Sequence, residues 1–363
     1  RDPIAARQAG KPLVITEHNH VFWNRFRYEQ GFATGAYAAF QDVDGLTAHA
    51  TPVSLTKVDS LRSFNLCSDP IGLASEFLTF FAYVRGDVSP ARTGVRVPVD
   101  VEEVYRSAAG RGAIASDRTN LVLLTGFSIE CVGRGIPVVP LRPGELRIPA
   151  GNSAQVITST AGFSSSVDQQ SDGTAMVRLL KEKGILPAAN RSNGNTLFES
   201  STGELLMDTR NRFLSVNTAR LQGICALAGT TARLEDFEIR SMSVNGNLAL
   251  VAIDEMKPIR DARRLVLVYA TNALNNGMVF VDSDMTHRLK SGGLPTLIQA
   301  GKFTVAIRNR HAASLRLYPL DLAGNRLKML NPVKVEGEYA IFSADTAKDG
   351  AALFFELVAE EGK

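Results

Sequence analysis

The chain has 363 residues, of which 45% are hydrophobic and 21% charged, and it carries a net charge of +3. These values are ordinary for a globular protein of two or three domains. Positive and negative residues are interspersed along the chain, so nothing indicates a nucleic-acid or membrane-surface partner. No apolar run approaches the roughly 18–20 residues of a membrane-spanning helix, and the three widely spaced cysteines match no zinc motif.

The first elements along the chain predict a strand–helix–strand unit. A short apolar run, residues 13–15, changes abruptly to the polar and aromatic segment 16–23, which places polar groups at the rim of a sheet. A helix is expected over residues 25–40 and a second strand over residues 44–50. The chain opens directly into this unit, so we expect it to be the C-terminal part of a larger protein.

A second helix is predicted over residues 69–85. Asp69 is a suitable N-cap, Pro70 fits the first turn, and Gly86 fits the position after the last turn. The apolar residues of this segment cover a wide face, which predicts a largely buried helix.

After residue 92 the pattern becomes β-rich. Short strands are expected over residues 95–101, 120–125 and 138–148, a helix over 171–184, and a linker over 188–196. Residues 197–360 read as a succession of short strands typical of an antiparallel sandwich. The predicted strands there are 204–208, 212–217, 221–226, 237–244, 248–254, 264–271, 302–308, 315–320, 339–343 and 352–358.

The first 90 residues carry a resemblance to a known family. The segments KPLVITEHN and AYAAFQDVDGLTAHA, separated by a helix, resemble the last two β/α units of the clan A glycoside hydrolases. The resemblance implies a fold of α/β plus all-β class: the C-terminal portion of a (β/α)8 barrel, followed by antiparallel β-sandwich domains. The expected divisions are barrel units over 1–92, an intermediate β-rich region with a helix over 93–195, and a sandwich over 196–363.

The resemblance also implies an activity and a nucleophile. Members of that clan hydrolyse glycosidic bonds with retention, through a glutamate at the C-terminal end of the seventh barrel strand, a position that Glu17 matches. A retaining glycosidase needs a second carboxyl group, about 5–5.5 Å away, as acid and base. In the family that glutamate follows the fourth strand, so it would lie on a missing N-terminal half of the barrel, carried by a fragment or chain that completes it.

Several neighbours of Glu17 are predicted to bind the carbohydrate substrate. His18, Asn19 and His20 offer hydrogen bonds to the nucleophile or to sugar hydroxyls, and Trp23, the only tryptophan, offers a stacking face. The second strand adds further candidates, His49 at its end and Asp44 at its start.

Each of these residues has a plainer alternative. The alternative for Glu17, ranked below the nucleophile, is an ion pair with Arg25 or Arg27, and the alternative for Trp23 is packing under a loop. Two other functions remain open, a non-catalytic carbohydrate-binding or structural module and a metal-dependent barrel hydrolase that uses His18 and His20. The preferred interpretation needs no cofactor and no metal. Its substrate class favours a secreted or periplasmic location.

Overall fold

The fold is mixed, with few helices and many antiparallel strands. The computed structural model describes residues 2–20, 23–51, 59–106, 116–149, 173–254 and 256–360. Over these residues the strands form sheets but no closed barrel. The combination of α/β and all-β structure therefore agrees with the sequence, whereas the barrel remains a proposal.

The chain divides into two compact units whose sequences interleave. The first contains residues 1–15, 37–46 and 89–210, and the second contains residues 16–36, 47–88 and 211–363. The segments predicted from the sequence, 1–92, 93–195 and 196–363, stay predictions of domain organisation. The helices are α1 (Asp2–Ala5), α2 (Gln30–Phe40), α3 (Pro70–Thr79), α4 (Val101–Arg106), α5 (Ser116–Thr119) and α6 (Gly173–Glu182).

The predicted strand–helix–strand unit is present. Strand β1 (Val14–His18) is followed by α2 and then by β2 (Gly45–Ala48), which pairs with β1. The Asp44 N–H donates to the Leu13 carbonyl, and the His49 N–H donates to the His18 carbonyl, so the two strands run parallel. The helix begins later than predicted, because residues 27–29 form a 3-10 turn ahead of it.

The second predicted helix is also present, as α3 followed by a π-helical turn over Phe80–Val84. Asp69 caps it, with its side chain accepting from the Ile71 N–H at 3.1 Å, and Gly86 ends it with φ +71°. The expectation that this helix is largely buried is confirmed for α3, in which seven of ten residues are buried. Three of the apolar residues predicted to be buried, Leu73, Phe80 and Val84, are exposed.

Two glycines allow α2 and α3 to pack closely. A Cβ on Gly31 would lie 2.3 Å from the Ser75 carbonyl oxygen, and one on Gly35 would lie 2.8 Å from the Thr79 Cα. The Gly31 N–H donates to the Ser75 Oγ at 2.6 Å. Since any larger side chain would push the helices apart, these positions fix how α3 lies beside the end of β1.

The first unit contains a small parallel sheet, of which the sequence predicted the strand over 95–101 and, too long, the one over 138–148. Strand β3 (Gly94–Asp100) lies between β4 (Gly126–Val132) and β5 (Glu145–Arg147), parallel to both. The strand predicted over residues 120–125 is wrong, because Asn120–Leu123 is a 3-10 helix. A short run of buried leucines and valines is equally compatible with a helical turn or a strand, so periodicity alone does not decide.

The same unit holds the predicted helix over 171–184, observed as α6, while its predicted cap lies outside the described residues. The segment predicted as a linker, 188–196, is closely hydrogen-bonded. Asn190 and Ser192 are buried, and both bond to residue Glu199 of the next strand. Two strands complete this part of the chain, β6 (Leu197–Glu199) and β7 (Leu205–Asp208).

The second unit contains two antiparallel sheets around one apolar core. Six strands lie side by side in the order β19-β22-β13-β12-β9-β8, and five in the order β10-β11-β18-β21-β20. Leu250, Leu267 and Phe355 from the first sheet pack with Phe303 and Phe342 from the second. The strands are β8 (Phe213–Asn217), β9 (Leu221–Ala226), β10 (Ala232–Arg233), β11 (Phe237–Met242), β12 (Gly246–Ala252), β13 (Arg264–Ala270), β18 (Lys302–Arg308), β19 (Leu315–Leu320), β20 (Lys334–Glu336), β21 (Tyr339–Asp345) and β22 (Phe354–Ala359).

Between β13 and β18 the chain makes an excursion that we call the arm (residues 273–298). It consists of two short ladders, β14 with β17 and β15 with β16. The sequence prediction left this segment without strands. Its strands are β14 (Ala273–Asn276), β15 (Val279–Phe280), β16 (Arg288–Lys290) and β17 (Gly293–Ile298).

Candidate active site

The candidate site lies in the second unit, where β1 and β2 end. The His49 N–H donates to the His18 carbonyl at 3.0 Å, and the Asn19 Nδ2 donates back to the His49 carbonyl. The peptide bond between His49 and Ala50 is cis. These two hydrogen bonds hold the strand ends together directly beside Glu17.

Glu17 is the second-last residue of β1, and its side chain is exposed. Successive side chains of a strand point to opposite faces, so Glu17 lies on the face opposite to His18, which is buried. The arginines proposed as its structural partners pair elsewhere, Arg25 with Asp284 and Arg27 with Asp69. The carboxylate of Glu17 is therefore accessible to a ligand.

His18 packs against a carboxyl group that the sequence analysis did not consider. The His18 Nε2 lies 3.8 Å from Glu76 Oε2 on α3. Burial raises the pKa of Glu76 to about 7. Burial also lowers the pKa of His18, and the nearby charge of His20 lowers it further. Both shifts favour the neutral forms. We therefore interpret the pair as an uncharged contact that packs α3 against the end of β1, on the face opposite to Glu17.

A fully buried ion pair lies just beyond β1. Arg27 Nη2 and Asp69 Oδ1 are 2.5 Å apart, with both side chains only 2% exposed. Arg27 also donates through Nη1 to the Ala273 carbonyl at 3.1 Å. Burial lowers the pKa of Arg27 and raises that of Asp69, while the attraction between the two opposes both shifts. The pair ties the segment after β1 both to the start of α3 and to the arm.

Trp23 packs among side chains of this segment and the arm. Its ring lies edge-on to Phe280 at 6.3 Å between centroids, and the guanidinium groups of Arg27 and Arg288 lie 5.9 and 5.6 Å from the ring. This arrangement agrees with the packing alternative for Trp23, since protein groups already contact the ring that was predicted to stack on a sugar.

The remaining predicted residues fall in different places. The ring of His49 lies edge-on to Phe64 at 5.0 Å, and His20 is partly buried, which lowers its pKa. Asp44 lies at the opposite end of the strand pair, where its Oδ2 accepts from the Leu13 N–H at 2.8 Å. The structure therefore brings Glu17, His18, Asn19 and His49 together at the strand ends, and it does not bring Asp44 to them.

Two components of the site had no usable signal in the sequence. Glu76 is one polar residue of a helix with no motif around it, and the arm begins about 255 residues after the end of β1. The Asp69 N-cap was predicted, but its partner Arg27 is separated from it by 42 residues. A pair so distant along the chain is found only once the fold is known.

Within the described ranges, no group of three or more His, Cys, Asp and Glu side chains is placed to hold a metal ion. The same part of the chain has no helix with the length and apolar character required to cross a membrane.

No protein-family model, curated protein or solved structure matches this chain.

Proposed function

We propose that this chain supplies the nucleophile half of a retaining glycoside hydrolase, with Glu17 attacking the anomeric carbon of the substrate. The observation that carries the proposal is the position of Glu17, whose exposed carboxylate lies at the C-terminal end of a strand in a parallel β–α–β unit. In β/α barrels this is the end of the strand where catalytic groups lie.

The surroundings of Glu17 suit that role. A nucleophilic carboxylate must be held in a fixed orientation, and the hydrogen bonds among His18, Asn19 and His49 fix the strand ends around it. We assign substrate hydrogen bonding to Asn19, His20 and His49, and we assign to His18 the support of β1 through Glu76. Trp23 is assigned to shaping the rim with Phe280 and Arg288, rather than to a free stacking face.

The acid and base of the reaction must come from elsewhere. The two carboxyl groups of a retaining enzyme lie about 5–5.5 Å apart on either side of the scissile bond. Glu76 is unsuitable because it contacts His18, on the face of β1 opposite to Glu17. We propose that a polypeptide carrying the preceding β/α units supplies this residue and completes the barrel.

The edges of the sheet formed by β1 and β2 allow a further neighbour. Among the described residues β1 and β2 form a sheet of two strands, so each strand has one edge that pairs with no other described strand. Such an edge is a place where a strand of another polypeptide can pair.

Covalent labelling tests the nucleophile. The native preparation, with any polypeptide that co-purifies, is treated with activated 2-deoxy-2-fluoro glycosides of glucose, galactose, xylose and mannose. A retaining enzyme accumulates the glycosyl-enzyme ester, so mass spectrometry of the digest is expected to locate one added sugar on the peptide containing Glu17. Glu17→Gln should abolish both the label and hydrolysis, while Glu29→Gln, at the next acidic residue along the chain, should keep both.

Other results would favour other functions. A label on a different carboxylate, or hydrolysis that survives Glu17→Gln, would refute the assignment of the nucleophile. Glycan binding without hydrolysis or labelling, even with the partner polypeptide present, would favour a carbohydrate-binding module. That alternative agrees with the single suitable carboxylate among the described residues of the site.

A further inference from the structure

The arm is attached to both segments that follow the strand ends. Asn275 accepts from the Leu61 N–H at 2.8 Å and donates to the Leu61 carbonyl at 3.0 Å, which fixes the arm to the segment after β2. Phe280 contacts Trp23, and Asp284 pairs with Arg25 at 2.5 Å, which fixes it to the segment after β1. The arm therefore lies along the rim of the candidate active site.

A cavity lies at the base of the arm, within the same unit. We call it the arm-base pocket; it measures about 360 Å³. The arm contributes Met285, the flanking residues Asn272 and Gln299 border it, and the segment after β1 contributes Arg25 and Tyr28. A turn of the sandwich closes the other side with Ser243, Val244 and Asn245.

The amide groups of this pocket are oriented before any ligand arrives. Asn245 Oδ1 accepts from the Ala228 N–H at 2.9 Å, and Asn272 Oδ1 accepts from the Ala273 N–H at 2.9 Å. Because each oxygen is engaged, the orientation of each amide is set, and its Nδ2 remains as a donor. The side chain of Gln299 is exposed and adds a further donor and acceptor.

The charge of the pocket favours a neutral ligand. Among the described residues that line it, Arg25 is the one cationic side chain, and the carboxylate of Asp284 neutralises that charge. The other polar lining groups are amides and hydroxyls, which donate and accept hydrogen bonds without charge. Met285 and Val244 add a small apolar area, so the lining matches a polyhydroxylated ring with C–H faces.

We propose that the arm-base pocket is a subsite for one neutral sugar residue of the substrate, at a distance from the bond that Glu17 attacks. This inference rests on the proposed glycosidase function for the identity of the ligand. Its consequence is that Asn272 and Gln299 determine the preference for longer over shorter oligosaccharides.

Binding measurements test the subsite without requiring turnover. In the Glu17→Gln background, the chain is titrated with short neutral oligosaccharides of glucose, galactose, xylose and mannose by isothermal calorimetry. Asn272→Asp keeps the acceptor for the Ala273 N–H and removes the donor, and Gln299→Ala removes an exposed amide. Each is expected to raise the Kd roughly 3- to 10-fold, the value of about one net hydrogen bond. Asn276→Asp, an exposed change on the arm away from the pocket, should leave the Kd unchanged.

The outcomes separate this inference from the proposed function. If Glu17 is labelled but neither Asn272→Asp nor Gln299→Ala changes the Kd, the subsite is overturned and the glycosidase proposal stands. Oligosaccharide binding that depends on Asn272 and Gln299, without any labelling, would keep the subsite and refute the hydrolase. Absence of binding to every sugar of the panel would also overturn the subsite.

Discussion

The second unit contains two regions that are stabilised in different ways. The sandwich has an apolar core, with Leu250, Leu267 and Phe342 fully buried between antiparallel sheets. The region of β1, β2 and α3 instead buries polar groups, including the Arg27–Asp69 ion pair and the His18–Glu76 contact. Burial of apolar surface requires only a matching volume, whereas each buried charge requires a specific partner.

The difference indicates where stability and chemistry lie. A core like that of the sandwich tolerates exchanges that preserve volume and does not depend on pH. A region that contains buried carboxyl groups is sensitive both to the loss of one partner and to protonation. We therefore expect the region around Glu17 to be the part of the unit that substitutions and pH perturb most specifically.

Loss of the buried ion-pair partner is expected to have the largest effect. Asp69→Ala leaves the Arg27 guanidinium buried without its carboxylate, at about 3–5 kcal/mol, and removes the α3 cap, at about 1 kcal/mol. Urea denaturation measures the change in the free energy of unfolding. Glu182→Ala is the matched control, since the 3.9 Å pair of Glu182 with Arg178 has side chains that are 63% and 75% exposed and contributes at most about 1 kcal/mol. Equal losses in the two variants would contradict this account of the buried pair.

Truncation of the sandwich core should cost slightly less and should be independent of pH. Leu267 is fully buried in β13, so Leu267→Ala removes apolar burial and leaves a cavity, at about 2–5 kcal/mol. Leu322→Ala is the control, because Leu322 is 67% exposed and its loss should stay within about 0.5 kcal/mol. A loss in Leu267→Ala that changes between pH 5 and pH 8 would show that the two regions are not stabilised as differently as proposed.

The sequence predicted the sandwich better than the first unit, for a physical reason. Strands 221–226, 302–308 and 315–320 were predicted with the observed bounds, because turn residues separate them and their apolar residues face one core. In the parallel sheet, β4 was missed and the run 120–125 was assigned to the wrong element. Parallel strands are covered on both faces, so they lack the alternation that identifies a strand, and their order depends on distant pairing.

The site was predictable only in its local part. Glu17, His18, Asn19 and His49 lie together because the strand–helix–strand pattern places them at neighbouring strand ends. The position of Glu76 behind His18, the pairing of Arg27 with Asp69 and the contacts of the arm depend on tertiary packing. Trp23 shows the limit clearly: its residue type predicted a sugar platform, but the arm, placed by the fold, brings Phe280 and Arg288 against it.

A pH dependence should separate the two regions further. Burial raises the pKa of Glu76 from an ordinary value of 4.5 to about 7, so the folded protein holds this proton more tightly than the unfolded chain. The contribution of Glu76 to stability is therefore complete below about pH 4.5 and is lost as the pH rises through about 7, by roughly 3 kcal/mol at most.

Glu76→Gln should remove this dependence. His18 and Glu29 also titrate with shifted pKa values, so the informative quantity is the difference between wild type and variant in the free energy of unfolding, measured from pH 4.5 to pH 8. The free energy of unfolding of Glu76→Gln should increase relative to that of the wild type as the pH rises. Glu182→Gln, at a side chain that is 63% exposed, serves as the control and should give a flat difference. A flat difference for Glu76→Gln as well would indicate that Glu76 stays charged in the folded protein.

The smallest effect is expected at the pair that joins the arm to the segment after β1. Arg25 and Asp284 are as close as Arg27 and Asp69, at 2.5 Å, but their side chains are 34% and 57% exposed. Water solvates both charges, so Asp284→Asn should change the free energy of unfolding by less than about 1 kcal/mol. The amide protons of the arm should nevertheless exchange faster in the variant, while those of β12 and β13 stay unchanged. If Asp284→Asn destabilised the protein as strongly as Asp69→Ala, the contribution of an ion pair to the free energy of unfolding would depend on the distance between the charges and not on their burial. The proposed difference between the exposed Arg25–Asp284 pair and the buried Arg27–Asp69 pair would then be wrong.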